Sequence, residues 1–134
     1  MKSINRIYID SSVVLSFLLR ENDLQMWNNF KGEIVTSELT EAECCRTLDR
    51  IRLNEKVTDE EIAERLSELE LILSSLRIIQ INTVILKRAK GSFPTVVRSL
   101  DAIHLATAEL SKCSQFVTLD KQQGTAAKAL GLDY

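Results

Sequence analysis

The chain has 134 residues, 45% of them apolar and 27% charged, with a net charge of −2 and a pI near 5.5; this is enough for one domain, 1–134, with its own core, and it excludes a surface that grips nucleic acid everywhere by basic charge. Three cysteines, two of them adjacent (Cys44, Cys45), and a single histidine exclude a disulfide framework and zinc-type spacing. Reduced thiols point to the cytosol, Asp10 interrupts any apolar signal core, and no apolar run approaches the roughly 20 residues that span a membrane.

In chain order, Arg6–Ile9 reads as a short strand that stops at Asp10. Ser11 and Ser12 follow, and an apolar run carries a helix to Leu19. Arg20-Glu21-Asn22-Asp23 breaks it, and a further helical piece is expected from Leu24 to Phe30, with Trp27, ending before Gly32. Ile34-Val35-Thr36 is a second strand. Ser37 is placed to cap a helix reaching Leu53, with Glu38 and Glu41 near its positive end. After a turn at Asn54-Glu55-Lys56, Thr58 and Glu61 stand at capping-box spacing. Ile62, Leu66, Leu69 and Leu73 then recur at helical intervals, so the two helices form a hairpin.

Arg77–Ile81 is the next strand, and Thr83 is the expected cap of a helix to Lys90. Gly91-Ser92-Phe93-Pro94 marks a loop. Ser99 is the expected cap of a helix from Leu100 to Ser111. Gln115–Leu119 is a strand ending at Asp120, the helix Lys121–Leu130 stops at Gly131, and Leu132-Asp133-Tyr134 is placed as a short edge strand. Short strands alternating with helices imply an α/β fold with a parallel sheet covered on both faces.

Four acids stand out. Asp10 and Asp120 each end a strand and open a helix, so a parallel sheet puts both at its carboxyl edge. Asp101 lies in the first turn of its helix, and Glu43 lies one turn into the helix after the second strand. Each has a plainer reading as a cap, a dipole partner or a surface acid, with effects of about 0.5–2 kcal/mol. Together they form a cluster whose mutual repulsion a cation would relieve, and all-oxygen donors select Mg²⁺ or Mn²⁺. Glu43, Arg46 and Arg50 fall on one helix stripe, within about 60°. That stripe reads either as a surface ion pair or as a metal ligand beside phosphate-binding arginines. Arg98 and Lys121 are further candidates for phosphate contact, or ordinary solvated surface. His104 reads as a buried helix histidine, on a flank with Leu100 and Thr107, rather than as a catalytic group, and the cysteines read as core fillers.

The segments Tyr8–Ser12, Thr36–Glu43, Ser99–Ala108 and Val117–Asp120 resemble the PIN domain in order and spacing, and are similar to the VapC-type toxins of prokaryotic toxin–antitoxin pairs; Leu100-Asp101-Ala102-Ile103-His104-Leu105-Ala106-Thr107-Ala108 is the most specific part. The resemblance covers nearly the whole chain. It implies a three-layer fold with a central parallel sheet of four to five short strands, and a metal-dependent ribonuclease whose acidic quartet maps onto Asp10, Glu43, Asp101 and Asp120. Ser12 and Thr118 match positions that support the site through their hydroxyls. It further implies Mg²⁺ or Mn²⁺ as cofactor, RNA as substrate, a homodimer, and an antitoxin partner that the helical hairpin or the active site would meet. Lys121, Gln122 and Gln123 stand where some relatives carry a further acid or an aromatic. The alternatives are a PIN-fold binding module without catalysis and an aspartate-based phosphatase or receiver. A phosphatase would want a second acid two residues after Asp10, where Ser12 stands.

Overall fold

The computed structural model describes residues 5–19 and 28–133. The expected break at Arg20–Asp23, Trp27 with most of the piece leading to Phe30, and Tyr134 lie outside those residues. At the centre is β1 (Arg6–Ile9), paired in parallel with β2 (Glu33–Ser37) on one side and β4 (Gln115–Val117) on the other. Tyr8 stands level with Val35 and Phe116 in these two pairings. β3 (Arg77–Ile79) joins β2, so the all-parallel order is β3-β2-β1-β4. The expected fifth strand amounts to one bridge, Gln115 with Asp133.

The period of two along β1 sorts the core. Ile7 and Ile9 face a cluster that includes Val13, Val14, Phe17 and Leu18 of α1 (Ser11–Leu18). Cys44 and Leu48 of α2 (Glu38–Asn54) and Leu69 of α3 (Asp59–Ser74) complete it. Tyr8 faces the other way and packs with Val35, Phe116, Leu105 and Ala108 of α5 (Ser99–Leu110), and Ala126 and Ala127 of α6 (Lys121–Ala129). α4 (Thr83–Ala89) buries Ile85 and lies against α5. The result is three layers, with the hairpin α2–α3 closed by the expected Thr58–Glu61 capping box. No helix among the described residues is long and apolar enough to cross a membrane.

Two expected caps move by one residue. Asn82, not Thr83, caps α4, because its Oδ1 reaches the Ile85 amide at 2.8 Å. Arg98 occupies the cap position of α5 without a side-chain bond, and Ser99 is already helical. β3 ends at Ile79 and β4 at Val117, two residues short of expectation in each case. Leu100 is exposed, so the buried flank around His104 is built from Leu105, Thr107 and Ala108 instead.

Left-handed backbone appears at four turns among the described residues, one of them at Lys56 between α2 and α3. Gly32 enters β2 at φ 142°, and a Cβ there would stand 2.4 Å from the Asn5 carbonyl oxygen. Gly131 ends α6 at φ 86°; its amide bonds Lys128 O (2.9 Å) and the Leu132 amide bonds Ala127 O (3.0 Å). This paired capping pattern recurs after α5, but with Lys112 in the left-handed position at φ 58°.

Candidate metal and RNA site

The chain leaves β1 for β2 on one side and returns through α5 to β4 on the other. The sheet order therefore reverses between β1 and β4, where open α/β sheets take their ligands. Asp10 and Asp120 stand there as the N-caps of α1 and α6. Asp10 is only 5% exposed. Its Oδ1 accepts from the Ser12 hydroxyl (2.5 Å) and amide (3.2 Å), and its Oδ2 from the Thr118 hydroxyl (2.5 Å). The same hydroxyl oxygens accept from the amides of Leu119 (3.0 Å) and Asp120 (3.1 Å), so Ser12 and Thr118 tie the end of β4 to Asp10. Burial pushes the Asp10 carboxyl above its ordinary range, while the Ser12 and Thr118 bonds and the nearby imidazole of His104 pull the other way.

Glu43 lies on the half-buried side of α2, one residue before Cys44, whose thiol burial pushes up to about 12. The expected pair with Arg46 is not made. Arg46 turns to Asp49 (3.0 Å) and Arg50 to Thr47 (3.3 Å). Glu43 instead meets Nε2 of His104 at 2.5 Å, and Nδ1 of that ring meets the Tyr8 phenol at 2.6 Å. Burial, followed by the charge of Asp10, pushes the Tyr8 phenol well above its ordinary value.

Asp101 and Asp120 share a cation. The Arg98 guanidinium bonds Asp101 Oδ2 at 3.2 Å and approaches Asp120 Oδ2 at 3.5 Å. The other oxygen of Asp120 accepts the amides of Gln122 and Gln123. α5 runs into β4, so its N-terminal turn, with Asp101, lies at the carboxyl edge of the sheet. Gln123, 2% exposed, donates to the Asp101 carbonyl at 3.0 Å and holds that turn in place.

The four acids belong to segments that meet at one edge; Arg98 spans Asp101 and Asp120, while Asp10 and Glu43 are held by separate partners. Among the described residues, no three carboxylate, imidazole or thiolate groups converge closely enough to chelate an ion as they stand. The donor set nevertheless suits a hard divalent cation. It is all oxygen, and a guanidinium already sits between two of its members. Lys121 is exposed at the start of α6, beside Asp120. Sequence reasoning missed Gln123 and Tyr8. Gln123 shares a helix face with Ala126 and Ala127, which was the available signal. Tyr8 carried no such signal, because its partner is 96 residues away.

The chain is similar to known proteins in sequence and in fold. The chain is 30% identical to Ribonuclease VapC46 of Mycobacterium tuberculosis over 94% of its length and 93% of that protein's. It is also 30% identical to Ribonuclease VapC35 of the same organism, with the same coverage. Solved structures share the fold: PAE2754 from Pyrobaculum aerophilum (TM-score 0.68, 21% identity, 96% of this chain and 83% of that one) and a toxin–antitoxin complex from Klebsiella pneumoniae (0.67, 17%, 92% and 93%). A third is VapC20 of M. tuberculosis, described as a sarcin–ricin loop cleaving toxin (0.67, 12%, 90% and 94%). The family model for the PIN domain matches residues 7–129, and the chain belongs to that family.

Proposed function

We propose that this PIN domain is an endoribonuclease, the toxin of a toxin–antitoxin pair, and that Asp10, Glu43, Asp101 and Asp120 hold the divalent cation, Mg²⁺ or Mn²⁺, on which its chemistry depends. The observation that carries the reading is Asp10. It is a buried carboxylate at the switch point of the sheet, faced by hydroxyls and an amide rather than by Lys or Arg. A charge kept there without a cation is costly, and a bound divalent ion repays that cost. The VapC ribonucleases that align over nearly the whole chain support the substrate class.

A bound ion would supply Lewis acidity toward a phosphoryl oxygen and lower the pKa of water. The chain's own groups do the rest. Ser12 and Thr118 spend their hydroxyl hydrogens on Asp10, so they orient that carboxylate and are not poised as nucleophiles. Asp120 is fixed by two amides of α6, which leaves Oδ2, now facing Arg98, as its free ligating atom. Arg98 has to yield that place, and its exposed side chain can then reach a phosphate, as can Lys121. Arg46 and Arg50 sit farther along α2, on its exposed side, and would serve RNA only outside the acid site. With Ser12 where a second acid would be needed, the phosphatase and receiver alternatives lose their support.

The reading extends to an antitoxin partner, as in the K. pneumoniae complex, and to a homodimer, for which exposed Val84, Leu86, Val96, Leu100 and Leu110 on and around α4 and α5 offer apolar surface. Three free thiols support the cytosol as its setting. The test is cleavage of a mixed RNA pool by purified protein with Mg²⁺ or Mn²⁺, with EDTA, and with Asp10→Asn and Asp101→Asn. Cutting that needs metal and disappears in both variants is the expected result. Folded wild-type protein, free of antitoxin, that never cuts would overturn it in favour of a binding module. Cutting that survives both substitutions would remove the acids from the reaction.

A further inference from the structure

A chain of two hydrogen bonds leads from the core to Glu43. Its members come from three elements: Tyr8 on β1, His104 one turn after Asp101 on α5, and Glu43 on α2. Tyr8 is 0% and His104 2% exposed. A buried imidazole and phenol cost free energy that apolar side chains of similar size would not, unless each polar atom is matched. Here both ring nitrogens and the phenol oxygen are matched, and the chain ends on a carboxylate.

Chemistry fixes the hydrogen at the Glu43 end of the chain. A carboxylate only accepts, so the hydrogen of the 2.5 Å contact is on Nε2. When the ring is neutral its Nδ1 is then bare, and the phenol O–H fills it at 2.6 Å. Tyr8 is itself held, stacked on Phe116 with centroids 5.1 Å apart and edge-on to the imidazole. With both nitrogens engaged, His104 has no lone pair left for an ion. Glu43 gives one lone pair of Oε1 to the imidazole and keeps Oε2. A free glutamate on a helix surface spreads over many rotamers, an entropy that would have to be lost on ligation. A neutral N–H removes that freedom without cancelling the charge.

We propose that Tyr8 and His104 are positioning residues for the metal site, the phenol selecting the Nε2–H imidazole and the imidazole holding the Glu43 carboxylate ready for a divalent cation. The proposal rests on the reading of Glu43 as a ligand. Neither residue touches RNA, so their loss is felt first in metal affinity.

The experiment is Mn²⁺ titration of the full chain by calorimetry for wild type, Tyr8→Phe, His104→Gln, His104→Leu, Tyr8→Phe/His104→Leu and Glu43→Gln. Thermal unfolding of each and the long-range ¹H–¹⁵N spectrum of His104 accompany it. His104→Leu is expected to weaken Mn²⁺ binding about 10–100-fold, the range for lost support of a ligand. His104→Gln, which keeps an N–H donor, restores most of it. Tyr8→Phe lies between and turns a pure Nε2–H tautomer into a mixture. The double variant is no weaker than His104→Leu alone, because Tyr8 acts through the ring. Wild-type affinity in both His104→Leu and Tyr8→Phe, with Glu43→Gln impaired, overturns the proposal and leaves the ligand reading intact. Equal affinity of Glu43→Gln and wild type, or no Mn²⁺ binding at all, defeats the ligand reading and this proposal with it. Should His104→Leu fail to fold, Tyr8→Phe decides by affinity and tautomer together, since it keeps the stacked ring.

Discussion

The acid site has an inner and an outer half, built on opposite principles. Asp10 and Glu43 form the inner half, where the close partners are hydroxyls, a backbone amide and an imidazole. Asp101 and Asp120 form the outer half, spanned by the Arg98 guanidinium. Neutral donors aim a carboxylate and leave its charge to be used. A guanidinium satisfies the charge and must be displaced before the carboxylate can serve. On the proposed reading the inner half is prepared for a cation, whereas the outer half already carries a replaceable one.

The strongest way to break this contrast is Asp10→Asn. Cleavage is expected to fall below detection, while the metal-free protein becomes more resistant to urea at pH 7. The sign follows from burial, which raises the folded pKa of Asp10. Its contribution to stability is present below the unfolded carboxylate value of about 3.9 and is lost as pH rises through the folded value. At neutral pH the ionised group is a cost that Asn removes. A variant less stable at pH 7 than wild type would show the inner half not to be strained by charge.

Thiol chemistry measures how dry that half is. With its pKa near 12, Cys44 beside Glu43 carries about one thiolate in 10⁴ at pH 8 and should react with Ellman's reagent only on unfolding. Cys113, near 11 and buried, should behave alike, while half-buried Cys45 reacts in the native state. Fast native labelling of Cys44 would mean that water reaches Glu43 from behind.

The outer half is tested by Arg98→Gln. Exposed ion pairs are worth about 0.2–1 kcal/mol, so removing the competitor should tighten Mn²⁺ binding by about 1.4- to 5-fold, more at low salt. RNA binding by the metal-loaded protein should weaken. Looser Mn²⁺ binding in this variant would mean that Arg98 supports the site instead of occupying it.

The smallest effect serves as a control. Lys112 holds a left-handed φ of 58° at the end of α5, the helix whose other end carries Asp101. Lys112→Gly should add about 0.5–1 kcal/mol of stability in urea denaturation without altering Mn²⁺ affinity. A change in affinity would show that site and global stability are not separable, and would complicate every comparison above.

Local chemistry by itself determined most of the elements. A carboxylate or hydroxyl at a helix start reaches its own amides two or three residues on, so Asp10, Ser37, Thr58 and Asp120 could be read as caps from the chain alone. The same reasoning slipped where two candidates stood side by side, at Asn82 and Thr83, because cap choice there turns on which side chain reaches the Ile85 amide. The shared edge of Asp10 and Asp120 was also legible, since strand ends in a parallel sheet lie together. The partners of the four acids were not. Only the tertiary structure decided that β4 lies beside β1, that Glu43 turns from Arg46 to a histidine 61 residues away, and that Arg98 spans two acids. The reason is physical. A solvated pair on a helix is worth a few tenths of a kcal/mol and yields readily, whereas a buried donor left unmatched costs about 1–3 kcal/mol, so the partner of a buried group is set by what folding brings alongside it.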